Sequence, residues 1–266
     1  MKVKDLVRLV DDSLPFAWAE DWDNVGLLLG DPEDSVEGVT VALDPSLDAM
    51  RDARESGCSV LVSHHPLIFS PLRRIDCSEG TGLDIAYAVR NRISVVCLHT
   101  NWDSAGRGVN RILADGIGLQ NVTPIVPSAR GGWGEGAVGM LREPLPAVEA
   151  ARGMGRSWNL SRIGMYGSPE RPISRIALCG GSGGSLWYRA LDAGADVFVT
   201  ADMKYHEKME ALRSGLALFD ADHGEMEACT LPGLASVLSE ISGLDVRLSP
   251  VEPARPLVLL EKREIP

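Results

Sequence analysis

Residues 58–66 read Cys-Ser-Val-Leu-Val-Ser-His-His-Pro. An apolar run of strand length without polar alternation is what a strand buried on both faces of a parallel sheet requires. The run ends abruptly in His64-His65, and Pro66 cannot continue the ladder. Just upstream, Val39-Thr40-Val41-Ala42-Leu43-Asp44 reads as a second strand, ending at an acidic residue. Pro45 to Ser56 reads as the helix between them, with Gly57 as its C-cap. Downstream, Thr81 to Asn91 reads as a helix and Ile93 to Leu98 as a strand running into His99-Thr100-Asn101-Trp102-Asp103. Ahead of these lie an amphipathic helix, Lys4 to Leu14, and a turn with a short strand across Trp22 to Asp31. Strand–helix alternation of this kind predicts a parallel α/β sheet.

The second half repeats the plan. Ser174 to Cys179 resembles Val39 to Asp44, a helix runs through Arg189 to Gly194, and Ala195-Asp196-Val197-Phe198-Val199-Thr200 mirrors residues 58–63. That strand leads into Asp202-Met203-Lys204-Tyr205-His206. A helix over about Glu207 to Ser214 and a strand Leu216 to Phe219 then lead into Asp220-Ala221-Asp222-His223. This repetition suggests two related α/β halves with mostly parallel sheets. The turn-rich stretch Val126 to Gly136 reads as the linker. Gly136 to Met140 and Leu160 to Met165 read as added strands around a helix from about Leu145 to Met154. Leu257-Val258-Leu259-Leu260 reads as a strand returning to the first half. The expected domains are residues 1–125 with 236–266, and 126–235.

Composition narrows the function. The 266 residues carry a formal net charge of −11, which disfavours binding to a phosphate backbone, although Arg73-Arg74 is a local basic pair. No apolar run has membrane-spanning length, and the N-terminal residues lack the apolar core of a signal peptide. The 5 cysteines are odd in number and scattered, without a CxxC pair. That pattern predicts a reducing cytoplasm rather than a disulfide framework or a thiolate zinc site.

All 5 histidines, at positions 64, 65, 99, 206 and 223, fall at or just past predicted C-terminal strand ends, the edge where open α/β sheets bind ligands. Imidazole beside carboxylate suits zinc, iron, manganese or nickel. For His64-His65, a turn at Pro66 brings both rings to one centre or to two neighbouring ones; the alternative is a hydrogen-bonded loop pair. Asp103, four residues after His99, is either a metal ligand or a helix N-cap, with Asn101 and Trp102 favouring a loop. His223 and Glu227 share one face if a helix begins near Asp222; otherwise Glu225 and Glu227 serve a helix dipole on the surface. Gly180-Gly181-Ser182-Gly183, between a strand and a helix, offers amides for a phosphate or another anion, or else a tight turn for close packing.

Trp22–Asp31 (WDNVGLLLGD), Ser63–Phe69 (SHHPLIF), His99–Asp103 (HTNWD), Cys179–Gly183 (CGGSG), Ala201–His206 (ADMKYH) and Asp222–Glu227 (DHGEME) occur in one order. With these motifs the chain resembles the dinuclear-metal hexameric proteins labelled GTP cyclohydrolase 1 type 2 homologues. The resemblance covers nearly the whole chain and implies metal ligands at His64, His65, Asp103, His223 and Glu227. It places His99 and His206 along the same cleft. It further implies a toroidal homohexamer of two-domain α/β subunits with the metal pair between the domains; this chain looks like the short form without an inserted third domain. Ala201 departs from the glycine usual at its position. The implied chemistry is a cyclohydrolase-type reaction on a nucleotide. Two divalent ions bridged by Asp103 and Glu227 activate water, His99 or His206 shuttles a proton, and the glycine-rich turn holds a phosphate. The alternative is a metal-handling or regulatory ring without turnover.

Overall fold

A computed structural model describes residues 1–254. The first half begins with α1 (Val3–Ser13), β1 (Gly26–Leu29) and β2 (Val39–Ala42). It continues through α2 (Leu47–Glu55), β3 (Val60–Ser63), α3 (Gly80–Asn91) and β4 (Ser94–Cys97). Ser46 caps α2 by accepting the Ala49 N–H, which satisfies one donor that the helix start leaves free. The short α4 (Thr100–Asp103) and α5 (Val109–Gly116) follow. Next come β5 (Gln120–Thr123), the small pair β6 (Val126–Pro127) and β7 (Gly134–Glu135), β8 (Ala137–Pro146), α6 (Ala147–Ser157) and β9 (Ile163–Tyr166). The chain then runs through β10 (Pro172–Leu178), α7 (Trp187–Asp192), β11 (Val197–Thr200), α8 (Tyr205–Arg213) and β12 (Ala217–Ala221). It closes with α9 (His223–Ala228), α10 (Leu231–Ser242) and β13 (Val246–Leu248).

Two larger sheets result, ordered β1-β4-β3-β2-β13 and β5-β8-β10-β11-β12-β9. Each has a parallel core: β13, β2, β3 and β4 in the first, and β10, β11 and β12 in the second. Helices close the crossovers, as parallel pairing demands. Val60, Leu61 and Val62 are fully buried, as are Val197, Phe198 and Val199, so both runs lie covered on two faces as their patterns predict. The halves share more than those cores. In each, an antiparallel strand that precedes the three in sequence pairs with the last of them, β1 on β4 and β9 on β12.

The boundaries differ from expectation at two places. Gln120–Thr123 pairs with β8 and so belongs to the second sheet, although it lies before the expected boundary at 125. The return to the first half starts at Leu231, not 236, because α10 packs against α1, β2 and β13. The strand that pairs with β2 is Val246–Leu248; its central Arg247 and the preceding Asp245 hide it from an apolar-run criterion. The expected strand Leu257 to Leu260 lies outside the described residues. A single apolar cluster joins Val3, Val41 and Val62 of the first half to Ile176, Val199 and Phe219 of the second. The C-terminal ends of both parallel cores therefore meet around one cleft.

Candidate metal centre

The cleft has a volume of about 600 Å³ and is lined by residues of both halves. Its floor is built from four imidazoles and two carboxylates. Extended β3 brings His64 and His65 to its end, and the turn after them leaves the rings 5.2 Å apart. His99 follows β4, and α4 carries Asp103 one turn on. Here the expectation of a loop fails: residues 100–103 form a helical turn, and the next helix is capped at Gly108 rather than at Asp103. Asp222 caps α9 by accepting the Glu225 N–H, so His223 and Glu227 share a helix face as their spacing predicts.

Every one of the four imidazoles is anchored through Nδ1. His64 Nδ1 donates to the Leu98 carbonyl at 3.0 Å. His65 is held by Asp44 at 2.7 Å, His99 by Asp23 at 2.8 Å and His223 by Asp202 at 2.6 Å. The free edge of each ring is then Nε2, and three of these nitrogens surround Glu227. His65 Nε2 lies 2.9 Å and His223 Nε2 3.1 Å from Glu227 Oε2, while His64 Nε2 lies 3.5 Å from Oε1. His64 Nε2 is also 3.8 Å from Asp103 Oδ1. His64, His65 and His99 each present a ligand atom within 4.8 Å of the others, and so do His65, His223 and Glu227. Two cation-sized groupings thus share His65.

Burial and charge oppose each other here. Burial pushes the Glu227 carboxyl up, but the surrounding His64, His223 and His65 outweigh it and hold the group well below its ordinary value. Asp103 goes the other way: burial, with Glu227 nearby, raises it to about 6 despite His64 and His99. His223 is raised to about 9, chiefly by its hydrogen bond to Glu227. Burial pulls His65 down, yet Asp44 and Glu227 together lift it to about 10. Asp23 is buried, which raises it, but His99 and Thr100 hold it at about 2. In the metal-free protein the carboxylates therefore draw protons onto imidazoles that a cation would displace.

The residues fit a metal by a test independent of resemblance. His64 is 1% exposed, and neither its Nε2 nor Asp103 Oδ1 has a hydrogen-bond partner among the described residues. Buried polar atoms without partners cost about 1–3 kcal/mol each, and a cation satisfies both. Borderline imidazole and carboxylate donors suit zinc, iron, manganese or nickel. The anchoring of Nδ1 by carboxylate or carbonyl is the usual support of a ligating histidine.

The glycine-rich turn packs more than it cradles. Gly181, at φ +64°, sits where a Cβ would collide with Glu227 Oε1. The Gly180 N–H is donated to Asn110 Oδ1 and the Gly183 N–H to Thr200 Oγ1, so the anion reading loses two donors. Gly180, Ser182 and Gly183 line the cleft nonetheless. His206 does not line it: the residue lies exposed on the first turn of α8, its ring against Tyr205. Glu225 is buried and accepts the Ser161 N–H at 2.6 Å, so it is no surface dipole partner. The anchors Asp23 and Asp202 stand inside two of the ordered motifs and Asp44 ends the second strand, but no local pattern pairs any of them with its histidine. No helix among the described residues is long and apolar enough to cross a membrane.

Residues 1–254 match the family described as Duf34/NIF3 (NGG1p interacting factor 3). A Streptomyces coelicolor protein named GTP cyclohydrolase 1 type 2 homolog is 35% identical, covering 93% of this chain and 90% of its own length. A Clostridium acetobutylicum protein of the same name is 30% identical, with 84% of each chain covered. Among solved structures, Staphylococcus aureus protein SA1388 superposes with a TM-score of 0.90 at 30% identity, over 97% of this chain and 99% of that one. A Bacillus cereus protein related to NIF3 reaches 0.91 at 21% identity over 98% and 99%, a likeness of fold.

Proposed function

The chain belongs to the Duf34/NIF3 family, and we propose from that premise that it is a dinuclear metal-dependent hydrolase acting on a nucleotide-like substrate. The observation that carries this reading is the convergence of Nε2 atoms on Glu227, with His64 Nε2 and Asp103 Oδ1 buried and without a hydrogen-bond partner among the described residues. His64, His65, Asp103, His223 and Glu227 would hold two divalent ions. Bound there, the ions supply Lewis acidity and lower the pKa of water toward neutrality, for attack on an electrophilic ring carbon.

The chain's own groups do the rest. Asp23 fixes the His99 ring through Nδ1 and leaves Nε2 toward the cleft the ring lines. His99 is thereby placed to accept or return a proton at Nε2. Trp22 meets that ring edge to face, the centroids 6.0 Å apart.

A second reading, a metal-handling ring without turnover, has one observation in its favour. The amides of Gly180 and Gly183 are already engaged, so the phosphate end of a nucleotide lacks that partner. Assembly as a homohexamer and residence in the cytoplasm complete the proposal. The first is supported by the resemblance of motifs, the second by the 5 cysteines, all of them free.

The deciding experiment loads the purified protein with each candidate metal and screens nucleotides and other small hydrolysable compounds for turnover. The expected result is two ions per chain and metal-dependent product formation. Two ions held with no turnover across the screen would favour the metal-handling reading. One tightly held ion with no second after reconstitution would sink the dinuclear claim.

A further inference from the structure

The mouth of the cleft differs in chemistry from its floor. Trp22 and Phe69 both line it, are 60% and 59% exposed, and meet edge to face with centroids 5.9 Å apart. Large aromatic side chains left this open at a concave site are ready contact surface for a ligand. Glu20 and Glu135 line the same cleft. No salt bridge or side-chain hydrogen bond engages either carboxylate among the described residues. Neither lysine nor arginine is among the described residues that line the cleft. Arg130, the nearest cation in sequence to Glu135, pairs with Asp21 and donates to the Ala19 carbonyl instead. At the floor, His64 is 1% exposed and its Nε2 has no hydrogen-bond partner among the described residues.

We infer that the cleft selects a ligand whose far end is an organic nitrogen cation, of the ammonium or amidinium class, held by Glu20 and Glu135 and covered by Trp22 and Phe69. The physical argument is complementarity. Two carboxylates facing one space repel each other, and Glu135 is raised by burial and then by Glu20. A cation between them removes that repulsion, and the aromatic faces add cation–π attraction. A phosphate beside Glu20 and Glu135 would meet their like charge. The inference rests on the cleft being the substrate site and adds which end of the substrate the protein reads by itself, with the reacting end at the imidazoles.

The test titrates metal-loaded full-length protein with benzamidinium and with its neutral analogue benzamide, followed by calorimetry and tryptophan fluorescence. Benzamidinium should bind roughly tenfold tighter than benzamide, a preference that shrinks with added salt. The double variant Glu20→Gln/Glu135→Gln should lose that preference, and Trp22→Ala should weaken benzamidinium by roughly fivefold. All three side chains are at least partly exposed, so the variants should fold like the parent, which thermal melting checks. Equal affinity for the two probes in the parent, or an unchanged preference in the double variant, would overturn the inference. Metal content is measured in the same samples. Full metal with no preference overturns this inference alone, whereas a clear preference in protein that takes up no metal overturns the hydrolase reading and leaves this one standing.

Discussion

The ends of β3 and β4 and the ends of β11 and β12 occupy equivalent places in two sheets of like topology, yet they deliver different side chains. After β3 come His64 and His65; after β11 come Ala201 and Asp202. After β4 and after β12 the spacing is the same, His99 to Asp103 and His223 to Glu227, each with the acid four residues on. Even so the two acids titrate in opposite directions: burial raises Asp103, while the imidazoles around Glu227 depress it. The turns after the first strands diverge as well. The one after β2 supplies Asp44 to anchor His65, and the one after β10 supplies Gly181, whose missing side chain lets Glu227 in. The halves thus keep a common backbone and divide the chemistry. One gives most of the imidazoles, and the other gives the carboxylate they share.

Removing the shared carboxylate should break this division most severely. Glu227→Gln loses the charge that His64, His65 and His223 surround, and metal content after dialysis should fall to near zero. Its neighbour makes the contrast: Glu225→Gln should keep its metal yet lose about 1–3 kcal/mol of stability, because that carboxylate is buried and accepts a backbone N–H. Equal metal retention in the two variants would take Glu227 out of the centre.

Filling the gap should come next. Gly181→Ala places a methyl against Glu227 Oε1 on a backbone at φ +64°, so the acid must shift. A loss of about 1–3 kcal/mol in stability and a clear drop in metal affinity are expected. A variant that binds metal as tightly as the parent would show that Glu227 does not depend on that space.

The pH dependence sharpens the comparison further. Without metal, His65 and His223 lie at about 10 and about 9, above their ordinary value. Imidazoles raised in the folded state contribute stability that is complete below about pH 6.5 and is lost as the pH climbs through 9 to 10. Melting temperatures of chelator-treated protein should therefore fall over that window. Metal-loaded protein, with cations in place of those protons, should show a flatter profile. Parallel profiles with and without metal would contradict the shared use of Nε2.

The smallest effect is expected at the anchors. Asp202 is exposed and adopts φ 51°, a conformation asparagine also tolerates. Asp202→Asn should leave folding intact and weaken metal binding by roughly 10-fold to 100-fold, through a less firmly held His223. Asp23→Asn should disturb the protein more, since that carboxyl is fully buried and also accepts the Thr100 N–H. The reverse order, measured by metal titration and melting, would show that burial does not set how much each anchor contributes.

Much of this plan is written in consecutive residues. The apolar runs at 60–62 and 197–199, the helices between strands, and the His-x-x-x-acid spacings are short-range patterns, because backbone periodicity and helix-face geometry act within a few residues. Resemblance of ordered motifs then pointed to His64, His65, Asp103, His223 and Glu227, and the fold brings all five together. Only the tertiary structure decided the rest. His65 and Glu227 are 162 positions apart, His99 and its anchor Asp23 are 76 apart, and no local rule joins them. The same holds for the exclusions: His206 faces outward from α8, Glu225 is buried, and two amides of the glycine-rich turn are taken by Asn110 and Thr200. Which polar group satisfies which depends on the chain bringing distant segments into one buried space, where an unpaired donor or acceptor costs free energy and local propensity has no say.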